Sequence, residues 1–217
     1  MLKALDLFCG AGGATRGLQL AGFHVTGVDI RPQPRYIGDA FHQADAFDVL
    51  LVTGYALIWA SPPCQAYTRA KSLHKREHPK LIEPVRVALR ATGIPYIIEN
   101  VPGAPLLEPV QLCGTAFGLS VKVYGTRYEL RRHRLFESNL PLVGVECQHK
   151  LPVIGVYGHG ESKPMRDKRG FQISTLQPRR DVMEMPWAST REIAEAIPPA
   201  YSLYLGQQVI RIVNVSA

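Results

Sequence analysis

The chain has 217 residues, 46% of them apolar and 20% charged, which suits one compact catalytic-sized unit, or one domain with a small appendage, able to bury a core without staples. That balance excludes disorder and collagen-like repetition. Apolar runs such as residues 55–60 fall far short of the roughly 20 residues of a membrane span, so no membrane partner is expected. The formal charge of +7 is uneven: residues 121–180 carry 12 Lys/Arg against 5 acids, whereas residues 1–120 carry 11 against 9.

In chain order, Leu2–Phe8 reads as a short strand ending in the glycines Gly10, Gly12 and Gly13. A helical pattern through Leu18, Leu20 and Ala21 is stopped by Gly22. Strands are expected at His24–Ile30, Phe41–Ala44, Ala56–Ala60 and Pro95–Ile98, with a helix over Lys80–Ala91 ended by Gly93. Strands alternating with helices predict a mostly parallel sheet covered on both faces. Beyond residue 105, Val121–Tyr128, Leu135–Glu137 and Pro152–Tyr157 read as strand pieces, and Gly158–Gln177 as a basic loop. Ser189 with Glu192 three residues on forms a capping-box signature. Pro198-Pro199 interrupts that helix, and a last one runs through Leu203, Leu205 and Val209.

Open parallel sheets bind ligands beyond the carboxyl ends of their strands. Here those ends offer Gly10-Ala11-Gly12-Gly13, Asp29, Asp45, Pro63-Cys64-Gln65 and Glu99-Asn100. Glycines allow close backbone approach, an acid after the second strand suits a ribose diol, and a further acid suits an adenine amine. An adenosine-bearing cofactor fits this set. Thr15 stands where a pyrophosphate-binding GxGxxG would place its third glycine, which weakens NAD or FAD, and no P-loop lysine follows. Cys64, after two prolines, sits on a rigid turn where a thiolate nucleophile belongs. A buried structural cysteine is the alternative for that residue alone, and Glu99 at a neighbouring strand end favours chemistry. The four cysteines (Cys9, Cys64, Cys113 and Cys147) stand far apart without a CxxC pair. No metal site and no disulfide framework are expected; Cys147 and His149 have two-ligand spacing but no second pair. Met1-Leu2-Lys3 runs straight into the first strand, so no signal-peptide-like leader is expected, and a reduced cytoplasmic setting is the simplest expectation.

The blocks Asp6-Leu7-Phe8-Cys9-Gly10-Ala11-Gly12-Gly13, Ser61-Pro62-Pro63-Cys64-Gln65, Glu99-Asn100-Val101 and Arg132-His133-Arg134 occur in that order. Together they resemble the signature blocks of DNA cytosine-5 methyltransferases over about 140 residues, resuming at Ile193–Pro199. The resemblance implies an α/β, Rossmann-like fold for S-adenosyl-L-methionine-dependent methyl transfer: a doubly wound, mostly parallel sheet with a small basic recognition region. It implies a catalytic part over 1–136, a reduced recognition region over 137–188, and C-terminal helices over 189–217. Cys64 would attack carbon 6 of a flipped cytosine, Glu99 would hold ring nitrogen 3, Arg134 would hold the exocyclic oxygen, and Arg132 belongs to the same catalytic block. Phe8, Gly10, Gly12, Asp29, Ile30, Asp45 and Pro63 would hold S-adenosyl-L-methionine.

The substrate implied is duplex DNA with its target base turned out of the stack. Localised basic charge is the footprint of a polyanion, and the candidates are Gln65, Arg69, Lys71, Lys75, Arg76 and Arg131, then Lys163, Arg166, Lys168 and Arg169. Three departures stand out. Leu130 replaces the glutamine that usually opens the arginine block, and Ala194-Glu195 replaces Gly-Asn. The stretch from Arg134 to Ile193 is short for a base-reading module, as in a minimal phage-like enzyme or one that works with a partner subunit or as a dimer. The alternatives are an RNA cytosine-5 methyltransferase and a non-catalytic DNA-binding relative, with a nicotinamide dehydrogenase more distant.

Overall fold

The computed structural model describes residues 1–50, 53–68, 78–157 and 175–215. Its centre is a seven-stranded sheet. Strands β1 (Lys3–Leu7), β2 (His24–Asp29), β3 (Ala40–Gln43), β4 (Leu57–Ala60) and β5 (Tyr96–Asn100) run parallel. Strands β6 (Val110–Leu112) and β9 (Arg134–Ser138) extend that sheet, while β7 (Ser120–Val123) and β8 (Thr126–Glu129) form a separate hairpin. The sheet order is β3-β2-β1-β4-β5-β9-β6, with β9 antiparallel to both its neighbours. From β1 the chain winds outward to β3, then returns to β4 on the other side of β1. That reversal opens the crevice where doubly wound sheets bind ligands. The fold is thus the expected Rossmann-like, mostly parallel α/β architecture.

Side-chain alternation explains why both faces are covered. Ala4, Val25, Leu57, Trp59 and Ile97 feed one buried cluster, and Leu5, Leu7, Val28, Ile58 and Ile98 feed the other. Helix α1 (Gly13–Ala21) lies on the first face with the last helix, α5 (Pro199–Val215). Their backbones meet at Gly17, where an added Cβ would fall 2.1 Å from both the Pro199 carbonyl and the Ser202 hydroxyl. Helix α2 (Ile82–Thr92) covers the second face through Val85 and Leu89, buries Ile82 as well, and ends at Gly93 as expected. Helices α3 (Leu176–Met183) and α4 (Thr190–Glu195) precede α5, and α4 opens with the predicted capping box of Ser189 and Glu192.

The later part of the chain departs from expectation in four places. Val121–Tyr128 is split into a hairpin by Tyr124 and Gly125, both at positive φ (48° and 83°), the backbone that tight two-residue turns demand. Among the described residues, Pro152–Tyr157 makes one bridge, Val153 to Glu129; its Ile154 and Val156 are buried as irregular chain. Leu176 and Gln177, expected in a loop, begin α3, which buries Arg179, Val182 and Met183. The three-residue β6 was too short to read from periodicity. Among the described residues, no helix is long and apolar enough to cross a membrane.

Candidate active site

The glycine turn after β1 is shaped by the backbone. Phe8 adopts φ 59°, uncommon for a non-glycine residue, and such strain gathers at functional sites. Gly10 follows at φ 50° with open space where a side chain would stand. The Gly10 amide donates to Asp29 Oδ2 (3.1 Å), and the Arg31 amide donates to Asp29 Oδ1 (2.9 Å). Asp29 thereby bridges the ends of β1 and β2, and Ile30 beside it is exposed. Asp45 is exposed, its Oδ1 accepting from the Phe47 amide (3.0 Å) in a local turn. Arg31 and Arg35, just beyond β2, pair with Glu195 (3.6 Å) and Glu192 (2.9 Å) on α4. The unusual Glu195 thus has a partner at this end of the crevice.

Across the crevice, β4 ends in Ser61-Pro62-Pro63 and a turn carrying half-buried Cys64. Asn100 Nδ2 donates to the Pro62 carbonyl (2.9 Å), tying that turn to the end of β5. Glu99, on β5, is buried and paired with Arg134 on the adjacent β9, Nε to Oε1 at 3.0 Å. Trp59 Nε1 donates to the Ser61 hydroxyl (3.0 Å), which bonds Glu99 in turn. Burial pushes the Glu99 carboxyl above its ordinary range, against the pull of Arg134, Arg132 and the Ser61 bond. Burial and the charge of Glu99 push the Cys64 thiol up, while Arg134 and Arg132 pull it down. The thiol, the carboxyl and both guanidiniums therefore share one electrostatic environment.

Arg132 is built differently from Arg134. It is buried, and its terminal nitrogens donate to the carbonyls of Val156 (2.8 Å), Ala194 (2.7 Å) and Ala196 (2.7 Å). Tyr201 on α5 donates to the Arg132 carbonyl (2.6 Å). Arg131 is also held within the protein, by Glu129 (2.6 Å) and the Leu151 carbonyl (2.9 Å). Leu130, the departure from the usual glutamine, is a core residue packed on Gly114. Gln65 is exposed beside Cys64. Arg69, Lys71, Lys75, Arg76, Lys163, Arg166, Lys168 and Arg169 lie outside the described residues.

Two features escaped sequence reasoning. Asp6 on β1 is fully buried and accepts from the Thr15 hydroxyl at 2.5 Å, while its Oδ1 has no hydrogen-bond partner among the described residues. Burial pushes its carboxyl up to about 7. Thr15, where a dinucleotide fold would place glycine, is the residue that holds Asp6, and that substitution was the one available signal. Trp187 Nε1 donates to the Ala11 carbonyl (2.8 Å), anchoring the glycine turn from the C-terminal segment; nothing in the sequence pattern marks it.

No family model matches the chain, and no curated protein matches it in sequence. Solved structures do match its fold. A protein described as a DNA modification methyltransferase, encoded within a prophage (E. coli), superposes with a TM-score of 0.60 at 13% identity, over 99% of this chain and 100% of that one. The S. pombe Dnmt2 methyltransferase gives 0.56 at 14% identity, over 98% and 99% of the two chains. The Entamoeba histolytica methyltransferase EhMeth gives 0.53 at 9%, again over 98% and 99%. At such identities the likeness is one of fold, and the chain shares the fold of these methyltransferases.

Proposed function

We propose that the chain is an S-adenosyl-L-methionine-dependent methyltransferase that modifies carbon 5 of cytosine in DNA. The observation that carries the reading is the convergence of Cys64, Glu99 and Arg134 at the ends of β4, β5 and the start of β9, with Glu99 and Arg134 3.0 Å apart. The cofactor fits the opposite side of the crevice: Gly10 leaves room for close approach, Asp29 is fixed to receive a ribose diol, and Phe8 and Ile30 offer apolar surface for an adenine. Asp45, Gly12 and Pro63 complete this proposed lining. Bound S-adenosyl-L-methionine supplies an electrophilic methyl group.

Each residue then has a defined task. A protonated Glu99, favoured by its burial, donates to ring nitrogen 3 and no longer opposes ionisation of Cys64. The two guanidiniums remain to favour the thiolate. Cys64 Sγ bonds carbon 6, which makes carbon 5 nucleophilic enough to accept the methyl group. Loss of the carbon-5 proton then re-forms the 5,6 double bond and expels the sulfur. Arg134 holds the exocyclic oxygen. Arg132, its two terminal nitrogens engaged by three carbonyls, acts as a positioning residue for Arg134. A flipped base is needed because carbons 5 and 6 are enclosed in a stacked duplex.

A nucleic-acid partner is further supported by the β7–β8 hairpin, where exposed Lys122 and Arg127 stand directly opposite each other. Like charges so placed are unfavourable until a polyanion arrives. We assign DNA reading to residues 137–188 and a reduced cytoplasmic setting to the four free cysteines. The test is tritiated methyl transfer to duplex DNA, single-stranded DNA and transfer RNA, followed by nucleoside analysis. Label in 5-methyldeoxycytidine from duplex DNA is expected. Label confined to RNA, or found on another atom, overturns the proposal.

A further inference from the structure

The fold also gathers four side chains from three separate stretches of the sequence: Cys113, His133, Cys147 and His149. Two arrive through sheet register. β6 pairs antiparallel with β9 so that Leu112 faces Arg134, and the next step outward brings Cys113 alongside His133. The other two come from the irregular segment after β9, with one residue between them. This is the second pair that the spacing of Cys147 and His149 alone did not reveal.

The geometry points to a four-coordinate Cys2His2 site for zinc. Cys113 Sγ lies 3.5 Å from His149 Nε2, and Cys147 Sγ lies 3.6 Å from His133 Nε2. With Zn–S near 2.3 Å and Zn–N near 2.0–2.1 Å, the sulfur-to-nitrogen edge of a tetrahedron is about 3.5 Å. All four ligand atoms lie within 4.8 Å of one another, so closure around an ion takes only small side-chain shifts. The pairing is crossed: each sulfur approaches the imidazole contributed by the other segment. The two rings stand nearly perpendicular, with centroids 5.3 Å apart and an interplanar angle of 72°. That arrangement directs both Nε2 atoms inward, whereas a Cys113–Cys147 disulfide would give the imidazoles no task. Two thiolates and two imidazoles form a donor set that selects zinc over hard cations. The Thr115 hydroxyl donates to Cys113 Sγ at 3.3 Å, the kind of outer bond that orients a metal-binding thiolate.

The site has a purpose in the fold. Residues 139–150 contain no helix or strand, and a metal held between Cys113–His133 and Cys147–His149 clamps them to the end of the sheet. Because His133 lies between Arg132 and Arg134, the same clamp fixes the backbone that carries both arginines. This inference does not depend on the proposed methyl transfer.

The experiment is metal analysis of the full-length chain purified under reducing conditions, together with cobalt(II) titration after chelation. The expected result is one zinc per chain, and a cobalt complex with thiolate charge-transfer and tetrahedral d–d absorption. Cys147→Ser and His149→Ala, on the more exposed side of the site, should each lose the stoichiometric metal while the chain stays folded by circular dichroism. Cys64→Ser should keep it, and Thr115→Val should weaken it about 10- to 100-fold. The inference fails if the folded, reduced wild-type chain takes up neither zinc nor cobalt, or if Cys147→Ser and His149→Ala bind as the wild type does. It fails equally if mass spectrometry finds a Cys113–Cys147 disulfide in metal-free protein that no reductant converts to a zinc-binding form.

Discussion

The parallel strands β1–β5 and the antiparallel annex of β6–β9 with its irregular tail share one apolar core, but the annex adds a set of directional polar bonds between distant segments. In the first region, alternating apolar side chains fill two clusters, one on each face of the sheet. In the second, Leu112, Leu130, Phe136 and Ile154 join the first of those clusters, and polar bonds between distant residues tie the segments to one another. Glu129 accepts from Arg131 and from the amides of Lys150 and Leu151. Arg132 ties β9 to the C-terminal helices. Arg86 makes a buried two-pronged pair with Glu137, both bonds at 2.7 Å. The candidate site lies on the seam: Cys64 and Glu99 come from the parallel region and Arg134 from the annex. Apolar burial sets the shape of a crevice, but directional bonds are needed to fix a guanidinium against a carboxylate.

The most severe way to break the seam is chemical. Cys64→Ser should lower methyl transfer on the order of 10⁴-fold or more, since the covalent step has no substitute. Urea unfolding should barely change, because the half-buried thiol fills little core. DNA containing 5-fluorocytosine should trap wild type as a covalent adduct and leave the serine variant free. Undiminished transfer by that variant would sink the proposed mechanism.

Breaking the annex comes next. Arg86→Met leaves Glu137 buried at 2% exposure without its cation, which should cost about 3–5 kcal/mol in urea denaturation. Adding Glu137→Leu should recover a large part of that loss, since an apolar pair no longer strands a charge. If the single substitution proved nearly neutral, the buried Arg86–Glu137 pair would be no anchor of the annex.

The parallel region has its own polar exception in Asp6. Its carboxyl is pushed from 3.8 up to about 7 by burial, so between those values the folded protein binds a proton that the unfolded chain does not. The stability associated with this group is therefore complete below about pH 4, falls as pH rises toward 7, and is flat above. The total change is about 4 kcal/mol. Asp6→Asn should flatten that portion of the curve of melting temperature against pH. A slope that survives the substitution would assign the effect to another group.

The same division governs how much of the molecule was legible in its sequence. The strands and helices of the first 100 residues announce themselves as short apolar runs, through the helical spacing of Leu81, Val85, Ala88 and Leu89, and through the glycines that end α1 and α2. The strand-end residues Cys64 and Glu99 could be placed because a parallel sheet directs them to one crevice. The annex gave weaker signals. β6 has only three residues, Ile154 and Val156 are buried without regular structure, and the carbonyls that engage Arg132 lie on segments more than 20 residues away. Cys113 and His149 are 36 positions apart, so no spacing rule could join them before β6 was paired with β9.

Helix α4 sharpens the contrast, because it belongs to the later part of the chain yet was read directly from its capping box. Ser189 Oγ accepts from the Glu192 amide (3.4 Å), and the Glu192 carboxylate accepts from the Ser189 amide (2.7 Å). Ser189→Ala should cost about 1 kcal/mol, the ordinary loss of an N-cap. Glu192→Ala removes the reciprocal bond and also the Arg35 pair at 2.9 Å, which reaches back to the segment after β2. If α4 acts only as a local element, the two substitutions should cost the same. A larger loss for Glu192→Ala, removed by a prior Arg35→Ala change in a double-mutant cycle, would show that even this helix contributes a directional tie across the crevice.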